Sequence, residues 1–305
     1  MWSKYRGRAV QGPLFQSCAG GDINAMKMFP QEYNALSPDP MKTQFASGAR
    51  PRAPEAAKLQ QRVTDPSRSA LRRYQGVVVG SESLLFTIKY ELIMGLGTIL
   101  PGAVGLWLRK TTYPSLFKAI GKGTVFGHQV TVRHPQRIEL GRRVVVADGC
   151  VLDGRGEANT GIRADDDVVF GERSAIRCKD GDIVIGKRVG IGFATHLGAL
   201  GGNRLIIEDD VMIGPHAYLG GVGYHFDRLD VPMREQGHNL KGGLTVGSGT
   251  WIGAGAMLLD GAKVGREAIV AAGAVVMGEV PDYAIVGGIP AKIIRSRKDH
   301  ADPSR

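Results

Sequence analysis

From Val246 onward an aliphatic side chain returns at every sixth residue: Val246, Ile252, Leu258, Val264, Val270 and Val276. A period of six fits neither the 3.6-residue turn of an α-helix nor the two-residue alternation of a strand. It requires very short strands that alternate with bends at fixed spacing. About three such hexads close one triangular coil, and stacked coils align their inward aliphatic residues into one continuous core. A small residue follows most of the aliphatic ones, which lets the chain turn without a clash. The same beat recurs earlier at Leu140, Val146 and Leu152, at Phe170 and Ile176, at Ile185, Ile191 and Leu197, and at Ile207, Ile213 and Leu219. The expected fold class is all-β: a parallel β-helix in which neighbouring strands belong to successive coils.

Composition agrees with a tightly turning β architecture, since 44 residues are Gly and only 7% are aromatic. The formal net charge of +10 is unevenly spread. Residues 1–120 carry 16 Lys and Arg against 7 Asp and Glu, so the β region is close to neutral. That distribution argues against a catalytic domain built to grip nucleic acid. Cys18, Cys150 and Cys178 form no CxxC pair. A disulfide framework or a cysteine-based metal site is not expected, and a reducing, cytoplasmic setting fits. The N-terminus has no apolar stretch of the kind a secretory signal needs.

Four regions are expected. Residues 1–75 are rich in Pro, Gly, Ser, Gln and Arg without periodicity, and read as mostly disordered. Residues 76–125 form a hydrophobic helical segment. Within it, 17 residues from Leu92 to Leu108 lack any charge, and Trp107, Arg109 and Lys110 close the run. This sits at the lower limit for a membrane span and is interrupted by Gly and Pro. Two readings stay open: an anchor lying on a membrane surface (82–121), or a helical hairpin capping the β-helix. The β-helix is expected over 126–282, followed by a C-terminal tail over 283–305. Three interruptions break the beat, at 153–161, 198–206 and 220–243. Extra residues in a buried coil are expected to project outward and to carry the functional surface.

The third interruption holds "GYHFD" and "DVPMREQG", and leads into "KGGLTVGSGTWIGAGAMLLDGAKVG" and "AAGAVVMGEVPDYAIVGGIPAKIIRSR". These segments resemble the hexapeptide-repeat, left-handed parallel β-helix acyltransferases, in particular the sugar and xenobiotic O-acetyltransferases. The resemblance spans 126–297. It implies that His225 is a general base, that acetyl-CoA is the acyl donor, and that a saccharide hydroxyl is the acceptor, in a surface polysaccharide or a lipid-linked glycan. Histidine suits this task because its ordinary pKa near 6.5 leaves it able to accept a proton at cellular pH. The resemblance further implies a homotrimer, with coenzyme A lying between subunits against Ala254, Gly255 and Ala272, and with Lys292 and Arg295 near its phosphates. The N–H of Ala254 is then placed to polarise the thioester carbonyl. Many family members have Thr-Lys where this chain has Met277-Gly278, which removes one contact to the adenosine end. Asp227, Glu235 or a backbone carbonyl remain open as the partner orienting His225. His196 and His216 fall near hexad corners. His238 reads as a loop residue, and His128, His134 and His300 carry no signal.

Other classes fit less well. The γ-type carbonic anhydrases share this fold but need three histidines on a zinc ion, two of them as H-x4-H. No such pair occurs here, so no metal is expected. A non-enzymatic scaffold differs by having no affinity for coenzyme A, and an N-acetyltransferase acting on an amino sugar differs only in the acceptor atom.

Overall fold

The structure, a computed structural model, describes residues 67–300. The expectation of disorder over 1–75 therefore falls almost wholly outside the described residues. Within them the chain winds into a three-sided parallel β-solenoid. One face is an eight-stranded sheet beginning at Ala119–Ile120, the second a nine-stranded sheet beginning at Val125–Phe126, and the third a seven-stranded sheet that includes Thr131–Arg133.

The hexad residues are the core. On the second face Phe126, Val146, Phe170, Ile191, Ile213, Ile252, Val270 and Val286 stand opposite one another in register from coil to coil. All of them are buried. The third face stacks Leu152, Ile176, Leu197, Leu219, Leu258 and Val276 in the same way. The small residue after each aliphatic one is dictated by the next coil. A Cβ on Gly214 would lie 2.6 Å from the Ala254 backbone nitrogen. Bending itself does not need glycine, since Arg143, Asp167, Arg188 and Asp210 take up positive φ at the bends between the first and second faces.

That edge also carries alternating charge. Arg142 and Arg143 bond to Asp166 and Asp167 of the next coil, and Arg188 bonds to Asp210 beyond them. Each pair is solvent-exposed and weakly stabilising, but the alternation disfavours any slip of one coil against the next.

The interruption at 198–206 does not project as a loop. His196–Leu200 and Arg204–Ile207 are both strands, joined by a tight turn. The preceding coil carries the same extension, Ala175–Lys179 followed by Asp182–Ile185. The two extensions stack, and Gly202 N–H donates to Asp180 O. Extra residues are thus absorbed by widening several coils together. A second inward row fills the added width: Ile138, Ile162, Ile183, Leu205 and Leu244, paired in register.

Ahead of the solenoid lie α1 (Ala70–Tyr74), α2 (Leu84–Ile99) and α3 (Gly102–Thr112). Among the described residues no helix is long and apolar enough to cross a membrane. The inner side of the α2–α3 hairpin seals the open end of the core. Tyr113 and Phe117 pack on Phe126, and Tyr90 Oη donates to Val132 O at 2.6 Å. Arg109 is almost fully buried and donates to the carbonyls of Gly97, Leu100 and Phe126. The outer side exposes Leu85, Ile88, Leu92, Leu96, Ile99, Val104 and Trp107. The hairpin is thus a cap on its inner side and an uncovered apolar surface on its outer side.

Candidate functional site

The loop at 220–243 leaves the solenoid where the third face turns into the first. Glycine is required at its root. Gly220 has φ +124°, and a Cβ there would lie 2.0 Å from Gly198 O. Gly221 has φ +89°, with Tyr218 Oη directly beneath it. At the exit Gly243 has φ +91°, and a Cβ there would meet Arg204 O at 2.2 Å. Asp260, nearly buried one coil on, accepts from Lys241 N–H at 2.7 Å and Gly243 N–H at 2.8 Å. Between these clamps Gly223–Tyr224 pairs antiparallel with His238–Asn239, and a short helix, Met233–Gln236, crosses the tip.

His225 follows the first strand of this small hairpin. Its N–H donates to Gly237 O at 3.1 Å, and its imidazole remains 49% exposed. Asp227 Oδ2 lies 4.0 Å from His225 Nδ1, close enough to swing into a hydrogen bond but not forming one here. Glu235 instead faces Arg234. Of the three orienting partners left open by the sequence, Asp227 is the side chain within reach.

Two other histidines line the approach to the loop. The half-buried His196 ring stacks on Tyr218, with centroids 5.2 Å apart and planes 8° apart. Burial, with Arg177 nearby, pulls its pKa below the ordinary value. His238 packs edge-on against Tyr224, and burial together with Lys179 lowers its pKa as well. In both, the shift favours the neutral imidazole. His216 sits at a bend with positive φ, edge-on to Phe193.

Ala254 and Gly255 form the bend between the second and third faces, and Ala272 forms the same bend one coil on. Gly255 N–H donates to Pro215 O, and Gly273 N–H donates to Ala254 O. Among the described residues the N–H groups of Ala254 and Ala272 have no protein acceptor. The edge therefore offers two donors at successive coils. Lys292 and Arg295 lie exposed on the final strand, Lys292–Ser296, which runs antiparallel to Ala284–Gly287.

His225 and these bend residues occupy two different edges that border the third face. One copy of the chain does not bring them to a common corner. Among the described residues there is no cluster of three or more metal-ligating side chains. Sequence reasoning missed Asp260 and the His196–Tyr218 stack, because their partners come from neighbouring coils. The Gly-Gly pairs at 220–221 and 242–243 were the visible signal of the clamps.

Residues 243–278 match the bacterial transferase hexapeptide (six repeats) family. Over 135 residues the chain is 30% identical to a probable acetyltransferase of Mycobacterium tuberculosis, a match covering 43% of each chain. It is 35% identical over 109 residues to the serine acetyltransferase of Haemophilus influenzae, covering 36% of each. It is 27% identical over 93 residues to the galactoside O-acetyltransferase of Escherichia coli, covering 30% of this chain and 44% of that one. The match therefore spans less than half the length of these relatives.

Proposed function

We propose that this hexapeptide-repeat chain transfers an acetyl group from acetyl-CoA to a saccharide hydroxyl, with His225 as general base and no covalent acyl-enzyme. The observation that carries the reading is the clamped loop. It holds a half-exposed imidazole next to a carboxylate and leads directly into the coils that match transferase repeats. His225 takes the proton of the acceptor hydroxyl as its oxygen attacks the thioester carbonyl. The N–H of Ala254 stabilises the oxyanion. The C–S bond then breaks, and the imidazolium returns its proton to the coenzyme A thiolate. Lys292 and Arg295 balance the coenzyme's phosphate charge, and Ala272 and Gly255 border its pantetheine arm.

Assembly as a homotrimer completes the site. The loop exposes Tyr224, Phe226, Met233 and Leu229, the last 99% exposed, and burial against another copy would give this apolar tip a partner surface. A neighbouring copy also supplies the second edge that one chain keeps apart from His225. Free thiol release from acetyl-CoA tests the reaction on a panel of saccharides, amino sugars and serine. Release with saccharides and an ester product cleaved by hydroxylamine is expected. A hydroxylamine-resistant amide would place the acetyl group on nitrogen, and no release with any acceptor would count against transfer.

The uncovered outer side of the α2–α3 hairpin supports a position at the cytoplasmic face of a membrane. Leu85 is 81% exposed, and the exposed Lys89 and Lys110 flank the apolar stripe. Apolar burial and cationic flanks together favour an anionic lipid surface. The full chain should sediment with vesicles containing phosphatidylglycerol and bind phosphatidylcholine vesicles less. The double variant Leu85→Ser, Trp107→Ser should bind at least 10-fold more weakly. Equal sedimentation of the variant would refute the membrane contact.

A further inference from the structure

A cavity of about 990 Å³ lies one coil away from the loop at 220–243 and belongs to none of the machinery above. Its walls are α1 and the turn after it, the outward loop at 154–161, and the stacked turns near Asp180 and Gly201. All of the solenoid's contributions come from the edge where the third face turns into the first. The loop that carries His225 leaves that same edge, since Gly198 stands opposite Gly220 in register.

The walls are charged but balanced. Arg68, Arg73 and Lys179 each have an interaction partner. Arg72, Arg137 and Arg155 are matched by carboxylates of the same walls. Arg137 is occupied further by the carbonyls of Glu157 and Asn159, which hold the outward loop in place. A charged ligand entering such a lining loses water without gaining an uncommitted partner.

Hydrogen-bonding groups, by contrast, are left over. His134 Nε2, Arg155 Nε and Asn159 Oδ1 are buried at the cavity wall without a protein partner. His134 and Asn159 are only 5% and 8% exposed. Buried polar atoms of this kind are uncommon in folded proteins. Local bonds fix what each one offers. Asn159 Nδ2 donates to the carbonyls of Arg155 and Gly181, so Oδ1 is the spare acceptor. Burial favours the neutral His134 ring, and a bond to the Val77 backbone engages its other nitrogen, so Nε2 is an acceptor as well. Arg155 Nε is a donor. Two acceptors and one donor call for groups that both give and take a hydrogen bond. Hydroxyls do so, whereas ionised phosphate oxygens only accept.

We propose that this cavity holds a neutral sugar unit of an oligosaccharide. Four coil steps, through Arg133, Asp153, Arg177, Gly198 and Gly220 in register, separate the coil of His134 from the loop at 220–243. At the usual spacing between strands this is about 19 Å, more than one hexose ring can span. The role of the site rests on the transferase reading: the acceptor is a glycan chain, gripped some units away from the hydroxyl that His225 deprotonates.

The probe is a printed array of neutral mono- to hexasaccharides, with sialylated and phosphorylated glycans beside them, exposed to the full chain. Neutral oligosaccharides should bind and monosaccharides should not. The double variant His134→Asn, Arg155→Lys removes Nε2 and the Nε–H. Asparagine tolerates the left-handed backbone of His134, φ 51°, and keeps a donor for Val77. Lysine keeps a cation beside Asp153. Calorimetry with the tightest oligosaccharide of the array should show binding weakened about 10-fold or more in this variant, with an unchanged unfolding midpoint, and unaltered in His225→Ala. Binding to no neutral glycan, binding to charged glycans alone, or equal binding by the double variant would overturn the proposal. The two readings fail separately. An oligosaccharide that binds through this cavity but is never acetylated would sink the transferase reading and keep the site. Acetyl transfer to saccharides whose binding ignores the double variant would sink the site alone.

Discussion

His225→Ala is expected to lower acetyl transfer by about 10²- to 10⁴-fold, the usual contribution of a positioned general base. The fold should not register the change. The imidazole is half exposed, and the residue's bond to Gly237 O is made by its backbone. The unfolding midpoint and acetyl-CoA binding should therefore match the wild type. Asp227→Asn should give a smaller loss, because a carboxylate 4.0 Å away orients the ring without touching the reacting atoms. An unchanged rate in His225→Ala would remove the mechanism, and a lowered midpoint would mean the residue is structural.

Arg109→Leu is expected to destabilise the chain by about 3 kcal/mol, because a buried carbonyl left without its donor costs about 1–3 kcal/mol and three carbonyls are involved. Gly97 O and Leu100 O lie at the end of α2, and Phe126 O belongs to the second face of the solenoid. The guanidinium ties one hairpin end to the sheet. Leucine can fill much of its volume and supplies none of the donors. Urea unfolding should show the lower midpoint, and limited proteolysis should cut within 84–112 before it cuts the coils. A midpoint equal to wild type would mean that solvent satisfies these carbonyls and that the hairpin docks by apolar contact alone.

The solenoid was legible because its core residues are spaced by the fold itself. Val246 to Val276 keep six-residue spacing, and each ends up buried above its counterpart. The stretch at 198–206 was misread for a physical reason. An insertion in one coil must project, but matching insertions in successive coils widen the prism together. Ile183 and Leu205 then fill the interior, so the pattern looks broken while the core is continuous. Sequence spacing does not reveal which insertions stack.

The hydrophobic segment shows the same limit. Its lack of charge suggested either a cap or an anchor, and the structure gives α2 and α3 one side suited to each. Arg109, which looked like a basic flank, is buried as a donor to backbone carbonyls. The loop at 220–243 was legible in outline, since residues that resemble a catalytic motif surround His225.

Acetyl-CoA binding to the full chain tests the central claim most directly, because a scaffold with this fold needs no coenzyme. Calorimetry should show saturable binding of acetyl-CoA, weakened at least 10-fold by Lys292→Gln, Arg295→Gln and unaffected by His225→Ala. A chain that binds no acetyl-CoA would contradict the account and leave the solenoid as a scaffold.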